Sequence, residues 1–291
     1  MRILLLGGTR YFGRSLAYEL IRRGHELTIA TRGIARDGFG RSVKRVTVER
    51  SDRDSLFAAL YGSGYDCVFD NICYAPDDLC ALLDIVGTDR YIFTSSTSVY
   101  SGGLAITESD FDPMTCTLKS GQRGDFTYAE GKRMCEAALF QRYPGLSAAA
   151  VRFPVVLGPN DYTCRLKSYV DNIMSGTPMY IDDADSRQSF IFESEAARFL
   201  ASMADNGITG PVHAASEGTT SIREIIRYIE DRSGVRAILA PNAIPGALNG
   251  FPDCTLDKEK ARSDGFLFVP VELWLWRLLD TYIDAYQAAF Q

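Results

Sequence analysis

Tyr128 and Lys132 stand four residues apart, and Thr127 and Glu130 form a Thr-x-x-Glu capping box that opens a helix running to about Tyr143. At that spacing the two side chains meet on one helix face. A phenol ordinarily ionises near pH 10, and an ammonium beside it stabilises the phenolate. The pair therefore has the makings of a group that takes a proton from an alcohol or returns one to a carbonyl. Ser96, in Ser95-Ser96-Thr97-Ser98-Val99-Tyr100, is a second group able to bind the same oxygen. A third constellation is Gly7-Gly8-Thr9-Arg10-Tyr11-Phe12-Gly13, directly after the apolar run Ile3 to Leu6. Glycines let the backbone approach a phosphate, and the helix that follows supplies free N–H groups and a partial positive charge. The spacing departs from Gly-x-Gly-x-x-Gly, because Arg10 stands where a middle glycine is expected. The plain alternatives are a tight turn without a ligand and an exposed helix pair without a role.

The elements that must position these groups alternate. Ile3 to Leu6 reads as a strand buried on both faces. Ser15 to Arg23 reads as a helix with Leu16, Leu20 and Ile21 on one face, stopped by Gly24. Glu26 to Ala30 is a second strand, entering Thr31-Arg32-Gly33 and a polar loop with Arg36 and Arg41. Arg45 to Glu49 is a third strand, and Asp52 or Asp54 caps the helix behind it. Cys67 to Asp70 is a fourth strand, Asp77 to Val86 a short helix, Arg90 to Thr94 a fifth strand, and Ala148 to Phe153 a sixth. The pattern predicts an α/β chain with a Rossmann-type, doubly wound parallel sheet. In such sheets ligands lie beyond the carboxyl ends of the strands, and Gly7, Thr31, Asp52, Asp70 and Ser96 all follow strands. Ordinary loop chemistry also favours Gly, Asp and Ser there.

Residues 101 to 126 read as a long loop over that rim. After Pro154 the alternation loosens. Helices are expected at Lys167 to Ser175, Ser194 to Ala204, from the Ser221-x-x-Glu224 capping box to Gly234, and at Leu273 to Phe290. In the last, Trp274, Leu278, Tyr282 and Ala285 take core spacing, and Trp274 and Trp276 read as packing residues. Short strands are expected within Met179 to Phe192, a strand at Pro211 to Ala215, and a loop at 240 to 253. The division expected is a dinucleotide-binding domain over 1–153, with a return strand and helix near 190–215, and a smaller C-terminal substrate lobe over 154–291.

Composition bounds the partners. The 291 residues are 46% hydrophobic and 23% charged, with net charge −6, which disfavours broad nucleic-acid or acidic-membrane binding. No apolar run reaches the length of a membrane span, and the N-terminus does not read as a signal peptide, so a cytoplasmic location is expected. Seven cysteines without a Cys-x-x-Cys pair and only two histidines, His25 and His213, argue for reduced thiols and no metal site.

The glycine turn, Ser96 in Ser-Ser-x-x-Val-Tyr, and Tyr128-x-x-x-Lys132 occur in the order that resembles the short-chain dehydrogenase/reductase superfamily, in its extended branch of nucleotide-sugar epimerases, dehydratases and reductases. Arg152-Phe-Pro with Gly158-Pro, and Asp257-Lys-Glu-Lys260-Ala with Gly265-Phe, match further segments of that branch, so the resemblance covers nearly the whole chain. It implies catalytic Tyr128, Lys132 and Ser96, with Lys132 also holding the nicotinamide ribose. It implies cofactor contacts at Gly7, Gly8, Thr9, Arg10, Tyr11, Phe12, Gly13, Thr31, Arg32, Asp52, Arg53, Asp70, Asn71, Phe153 and Pro154. Ser96, Thr97, Asp161, Arg165 and Arg187 are the candidate substrate contacts, the arginines because a guanidinium suits an anionic group. A surface or interlobe salt bridge is the plain alternative for both arginines.

The departures from the family pattern carry information. Dehydrating members have an Asp-Glu pair where Thr97 and Ser98 stand here. NAD-binding members usually have an acid where Thr31 stands, and Arg32 and Arg10 are close to it in sequence or turn. NADP(H) is therefore the expected cofactor, with NAD(H) allowed. Gly-Gly-Thr-Arg, the short helix at 77–86 and Gly158-Pro-Asn-Asp-Tyr-Thr-x-Arg165 also resemble an atypical subgroup that includes plastid RNA-binding proteins. The expected function is an oxidoreductase acting on a sugar-like, nucleotide-linked alcohol or carbonyl. A 4-epimerase with retained NAD(P) comes second, and a non-catalytic dinucleotide- or RNA-binding protein third. A small-molecule substrate is the expected partner, with neither nucleic acid nor membrane, and a homodimer is compatible with the reading.

Overall fold

A computed structural model describes residues 1–35 and 37–289; Arg36 of the polar loop and Phe290 at the end of the last expected helix lie outside the described residues. In chain order the first half runs β1 (Arg2–Leu6), α1 (Tyr11–Arg22), β2 (Glu26–Thr31), β3 (Lys44–Thr47), α2 (Arg53–Leu60), β4 (Gly64–Asp70), α3 (Pro76–Leu83), β5 (Gly87–Ser96), β6 (Gly103–Ile106), α4 (Tyr128–Arg142) and β7 (Ser147–Phe153). The second half runs β8 (Val155–Leu157), α5 (Arg165–Ser175), β9 (Met179–Tyr180), β10 (Phe190–Phe192), α6 (Glu193–Ser202), β11 (Gly210–His213), α7 (Ile222–Ser233), β12 (Ile244–Pro245), β13 (Cys254–Leu256), α8 (Glu259–Ser263) and α9 (Leu275–Ala289).

Seven strands form one sheet in the order β11-β7-β5-β4-β1-β2-β3, and every neighbouring pair is parallel. The chain moves outward from β1 through β2 to β3, then returns to the other side of β1 with β4. The order therefore reverses at β1, and the loops leaving β1 and β4 diverge there to open a crevice. Alternation along β1 decides which face each side chain serves. Ile3 and Leu5 join an apolar cluster with Leu16 and Leu20 of α1 and Phe199 of α6. Leu4 and Leu6 join the opposite cluster with Leu56 of α2, Leu79 of α3 and Leu139 of α4. Each such fully buried side chain contributes roughly 1.5–3 kcal/mol.

A third apolar cluster draws on residues from 155 onward, with Tyr169 and Ile173 of α5, Ile225 and Ile229 of α7, and Leu275, Leu279 and Ile283 of α9. Trp274 and Leu278 belong to it, whereas Ala285 is exposed, because the buried stripe of α9 follows Leu275, Leu279 and Ile283. Trp276 stacks on Tyr228 with ring centroids 4.8 Å apart.

Two loop expectations need correction. Residues 101–126 contain β6, which pairs in parallel with β13, and three short 3-10 turns. The pairing is irregular, and Ala105 lies at φ 52°, so no alternating pattern announces it. Within 240–253, β12 pairs with β9. Helix α1 also begins four residues before the expected Ser15, at Tyr11, directly behind the glycine turn.

Candidate active site

The carboxyl ends of the central strands open into a cleft of about 1160 Å³, above the ~300–1,000 Å³ usual for one small ligand. Gly7, Thr9, Arg10, Tyr11, Phe12 and Gly13 line it at the start of α1. Gly13 has no alternative: a Cβ there would stand 2.0 Å from the Gly7 carbonyl oxygen. Gly7 takes φ +80°, which side chains rarely adopt. Gly8 does not line the cleft; a Cβ there would press on Leu5, so its smallness serves the core. Tyr11 holds φ 52° and donates its hydroxyl to the Val156 carbonyl oxygen at 2.6 Å, tying the glycine turn to β8. Burial and the nearby Asp161 raise the pKa of the Tyr11 phenol, so it stays protonated to donate.

Asn71 follows β4 and lines the cleft. Its Oδ1 accepts from the Thr94 hydroxyl at 2.7 Å, which leaves Nδ2 as the donor, and that atom is buried without a partner. It lies 3.3 Å from where a Gly13 Cβ would be. A buried, unused amide donor costs about 1–3 kcal/mol unless something accepts from it. The narrow glycine cradle and this donor fit the phosphate-bearing part of a dinucleotide.

Thr31 and Arg32 line the cleft at the end of β2. The Thr31 hydroxyl oxygen accepts from Gly33 N at 2.8 Å, so its own proton remains available. Among the described residues no carboxylate forms an ion pair with Arg32 or Arg10. Three other expected cofactor residues lie outside the lining. Asp52 caps α2 by accepting from Asp54 N and Ser55 N, Arg53 faces Asp84 at 3.8 Å, and Asp70 is buried in an ion pair with Arg50 at 2.6 Å. Tyr91 also donates to Asp70, at 3.0 Å. The missed residue is Arg50, which lines the cleft where Asp52 was expected. Its signal was its place at the rim after the third strand.

Lys132 and Tyr128 lie on the first turns of α4, as the capping box dictates. The helix sits close to the β4–α3 loop because Gly131 has no side chain: a Cβ there would stand 2.4 Å from the Tyr74 carbonyl oxygen. Lys132 is buried, yet its ammonium donates to the carbonyl oxygens of Cys73 at 2.9 Å and Thr94 at 2.7 Å. The rings of Tyr74 and Phe93 lie 4.8 Å from its Nζ, and that of Tyr128 5.7 Å. Burial works against its charge, but Tyr128, Cys135, Cys73 and Tyr74 favour it, and the balance lies above the usual lysine value. An ammonium has three protons. Two are used, so one is left for the cleft that Lys132 also lines.

Ser96 lines the cleft, and its Oγ accepts from Ser98 N at 3.2 Å, so its proton is free to be donated. The neighbouring Ser95 donates instead to Glu136, which is itself paired with the fully buried Arg152. Ser95 is thereby committed to structure and Ser96 is not. Phe153 and Pro154 complete this wall.

Of the expected substrate contacts, Thr97 and Arg165 line the cleft. Arg165 donates to the Thr163 hydroxyl at 2.9 Å, and Thr163 donates to Asp161, so Asp161 supports Arg165 from behind the lining. Arg187 points elsewhere: it pairs with Glu224 at 2.8 Å and donates to the Thr219 carbonyl at 2.7 Å. The next residue, Gln188, takes the lining position, as do Tyr74, Arg123 and Phe251, none of which the motif spacings single out.

Among the described residues no helix is long and apolar enough to cross a membrane. A model of the NAD dependent epimerase/dehydratase family matches residues 69–214. The chloroplast stem-loop binding protein of 41 kDa b from Arabidopsis thaliana is 26% identical over an alignment of 197 residues that covers 63% of this chain and 49% of that protein. The chain thus spans about half the length of this curated relative. The UDP-glucuronic acid 4-epimerase of Bacillus cereus, solved with UDP-glucuronic acid and NAD, superposes with a TM-score of 0.74 at 16% identity, covering 99% of this chain and 100% of that one. The UDP-glucose 4-epimerase of Thermotoga maritima, solved with UDP-glucose, gives 0.73 at 15% identity over 100% of both chains. At these identities the likeness is one of fold, and the sheet with its crevice is shared. With half of the chain matched to the family model, the protein belongs to the NAD dependent epimerase/dehydratase family.

Proposed function

We propose that this protein is an NADP(H)-dependent oxidoreductase acting on an alcohol or carbonyl of a sugar-like, nucleotide-linked substrate. The observation that carries the reading is the charged, buried Lys132 set beside Tyr128 on the cleft that the glycine turn also lines. A bound nicotinamide supplies the hydride chemistry. Gly7, Gly13, Asn71 and the N-terminus of α1 hold the diphosphate, Arg10 and Arg32 the adenosine end, and Lys132 a ribose hydroxyl with its third proton. Tyr128 moves the proton of the reacting oxygen, with the Lys132 ammonium 5.7 Å from its ring. Ser96 donates its free hydroxyl proton to the same oxygen. Arg165, and the lobe over 154–291 more generally, address the nucleotide part of the substrate.

A 4-epimerase is the second reading, supported by the fold shared with the two solved epimerases. The same residues serve it, with the cofactor retained between turnovers. Mass spectrometry of the freshly purified protein separates the two. A retained oxidised dinucleotide supports the epimerase, and a freely exchanging NADP(H), seen by fluorescence titration, supports the reductase. Absence of any dinucleotide affinity would defeat both readings. In that case binding to an RNA stem-loop becomes the reading to test, by filter retention at several salt concentrations, as the name of the plant relative suggests.

A further inference from the structure

We infer that Arg123 recognises a carboxylate carried on the reacting sugar, so that the site selects an acidic sugar nucleotide over its neutral counterpart. The inference rests on the reading of the cleft given above and deepens it. Arg123 lies in a short 3-10 turn, Arg123–Asp125, just before α4, and lines the cleft together with Tyr128. Its guanidinium carbon stands 4.3 Å from the centre of the Tyr74 ring, and that ring lies 6.3 Å from the Tyr128 ring. The Lys132 ammonium lies 4.8 Å from the same Tyr74 ring. Tyr74 therefore carries two cations, one of them assigned to catalysis and the other without a task.

The turn is held in place. Gly121 N donates to the Asp77 carboxylate at 3.0 Å, and Asp77 N donates back to the Gly121 carbonyl at 3.3 Å, which fixes the turn to the start of α3. The neighbouring carboxylates all serve backbone N–H groups: Asp77 serves Gly121, Asp78 serves Tyr74, Asp125 serves Gln122, and Glu130 serves Thr127. Among the described residues none of them forms an ion pair with Arg123. A guanidinium stacked on an aromatic face keeps its edge donors free for a planar bidentate acceptor such as a carboxylate.

Its position argues for the reacting end of the substrate. The phosphate-bearing end of the cofactor is addressed at the glycine turn by Arg10 and at the end of β2 by Arg32, and the carboxamide of a nicotinamide is neutral. Arg165, at the start of α5, also lines the cleft and is assigned above to the nucleotide part of the substrate. Arg123 stands instead on the Tyr74 ring, which the Tyr128 ring also approaches, on the part of the cleft wall where the proposed reacting carbon lies.

The test is calorimetry with the protein saturated in NADP⁺, using UDP-glucuronate and UDP-glucose as probes. The wild type should bind UDP-glucuronate at least tenfold more tightly. Arg123→Gln should abolish that preference while changing the UDP-glucose affinity less than twofold, and Arg123→Lys should restore part of it. Equal affinities in the wild type, a preference untouched by Arg123→Gln, or no binding of either probe while NADP⁺ still binds would overturn the inference. Failure of NADP⁺ itself to bind would overturn it together with the cofactor reading, and the titration of NADP⁺ alone tells the two failures apart. Arg123 is exposed, so Arg123→Gln should keep the wild-type melting temperature.

Discussion

The Lys132 ammonium donates to the Thr94 carbonyl oxygen at 2.7 Å, and the hydroxyl of the same Thr94 donates to Asn71 at 2.7 Å. One residue near the end of β5 thus holds both Lys132 on α4, the lysine proposed to act in catalysis, and the amide that faces the glycine turn. The two halves of the cleft to which catalysis and cofactor binding are proposed share a strand end, which suits chemistry that needs a donor and an acceptor held in fixed relation.

Tyr128→Phe should leave the fold and NADP(H) binding intact and lower kcat by roughly two to four orders of magnitude, the usual scale for a general acid or base. Lys132→Met should lower kcat and also weaken NADP(H). It removes the ammonium while leaving the Cys73 and Thr94 carbonyls without their donor. The check is a fluorescence titration of NADPH beside steady-state rates on a substrate found by screening. Wild-type turnover in Tyr128→Phe would remove tyrosine from the mechanism.

Gly131→Ala should destabilise, although helix propensity alone favours Gly→Ala by about 1 kcal/mol. The new methyl would meet the Tyr74 carbonyl oxygen, and α4 must move away from the β4–α3 loop. Lys132 follows Gly131 directly, so its bond to Cys73 should suffer. The expected result is a lower melting temperature and weaker NADPH binding. A melting temperature above wild type would show that the two elements can separate freely.

Much of this was legible because local rules and tertiary demands coincide. The Gly7–Gly13 turn, the Thr127 capping box and the i, i+4 pair Tyr128–Lys132 each act within a few residues, and sequence carries such patterns whole. Ser96 rather than Ser95 was legible only by resemblance; the physical reason, that Ser95 is bound to Glu136, depends on α4 packing across β5. Asp52 and Asp70 stand at strand ends where the family pattern puts cofactor contacts, and Arg187 carries a group suited to an anion. Each found a partner within the fold: a helix N-terminus, Arg50, and Glu224. Arg50 is marked only by its place at the rim after β3, and Arg123 has no local mark, since a lone arginine in a loop acquires meaning only from what surrounds it.

His213 should make stability depend on pH. It is fully buried, its Nδ1–H donates to the Asp257 carbonyl oxygen at 2.8 Å, and its Nε2 accepts from the Tyr100 hydroxyl at 2.6 Å, which in turn accepts from Arg152. Burial holds its pKa below the usual histidine value, and Arg152 adds to this, against the opposing pull of Glu108. The unfolded chain then binds a proton that the folded chain resists. The neutral form's stability is fully present above about pH 6.5 and is lost as pH falls from there toward the folded value. Buried carboxylates with raised pKa, Glu193 and Glu195, act in the opposite sense, so the comparison must be with a variant. His213→Asn keeps a donor for Asp257, loses about 1–3 kcal/mol through Tyr100, and should flatten the rise in urea midpoint between pH 5 and pH 7. An unchanged slope would show that His213 does not resist protonation.

Cofactor choice turns on the end of β2. An acid there accepts from the ribose hydroxyls of NAD and repels the 2′-phosphate of NADP. Thr31 offers no such charge and presents a free hydroxyl proton, while Arg32 and Arg10 line the same cleft without a carboxylate partner among the described residues. Glu49, after β3, also lines the cleft and opposes a phosphate, but two guanidinium groups outweigh one carboxylate. Charge-assisted bonds of this kind contribute about 1.5–3 kcal/mol each. NADP(H) should therefore bind at least tenfold more tightly than NAD(H) at low salt. Arg10→Ala or Arg32→Ala should each narrow the gap, and Glu49→Gln should widen it. Added salt should weaken NADP(H) more than NAD(H), because the extra attraction is a partly screened Coulomb interaction. Calorimetry on the wild type at two ionic strengths decides the matter, and equal affinities at low salt would defeat the NADP(H) assignment.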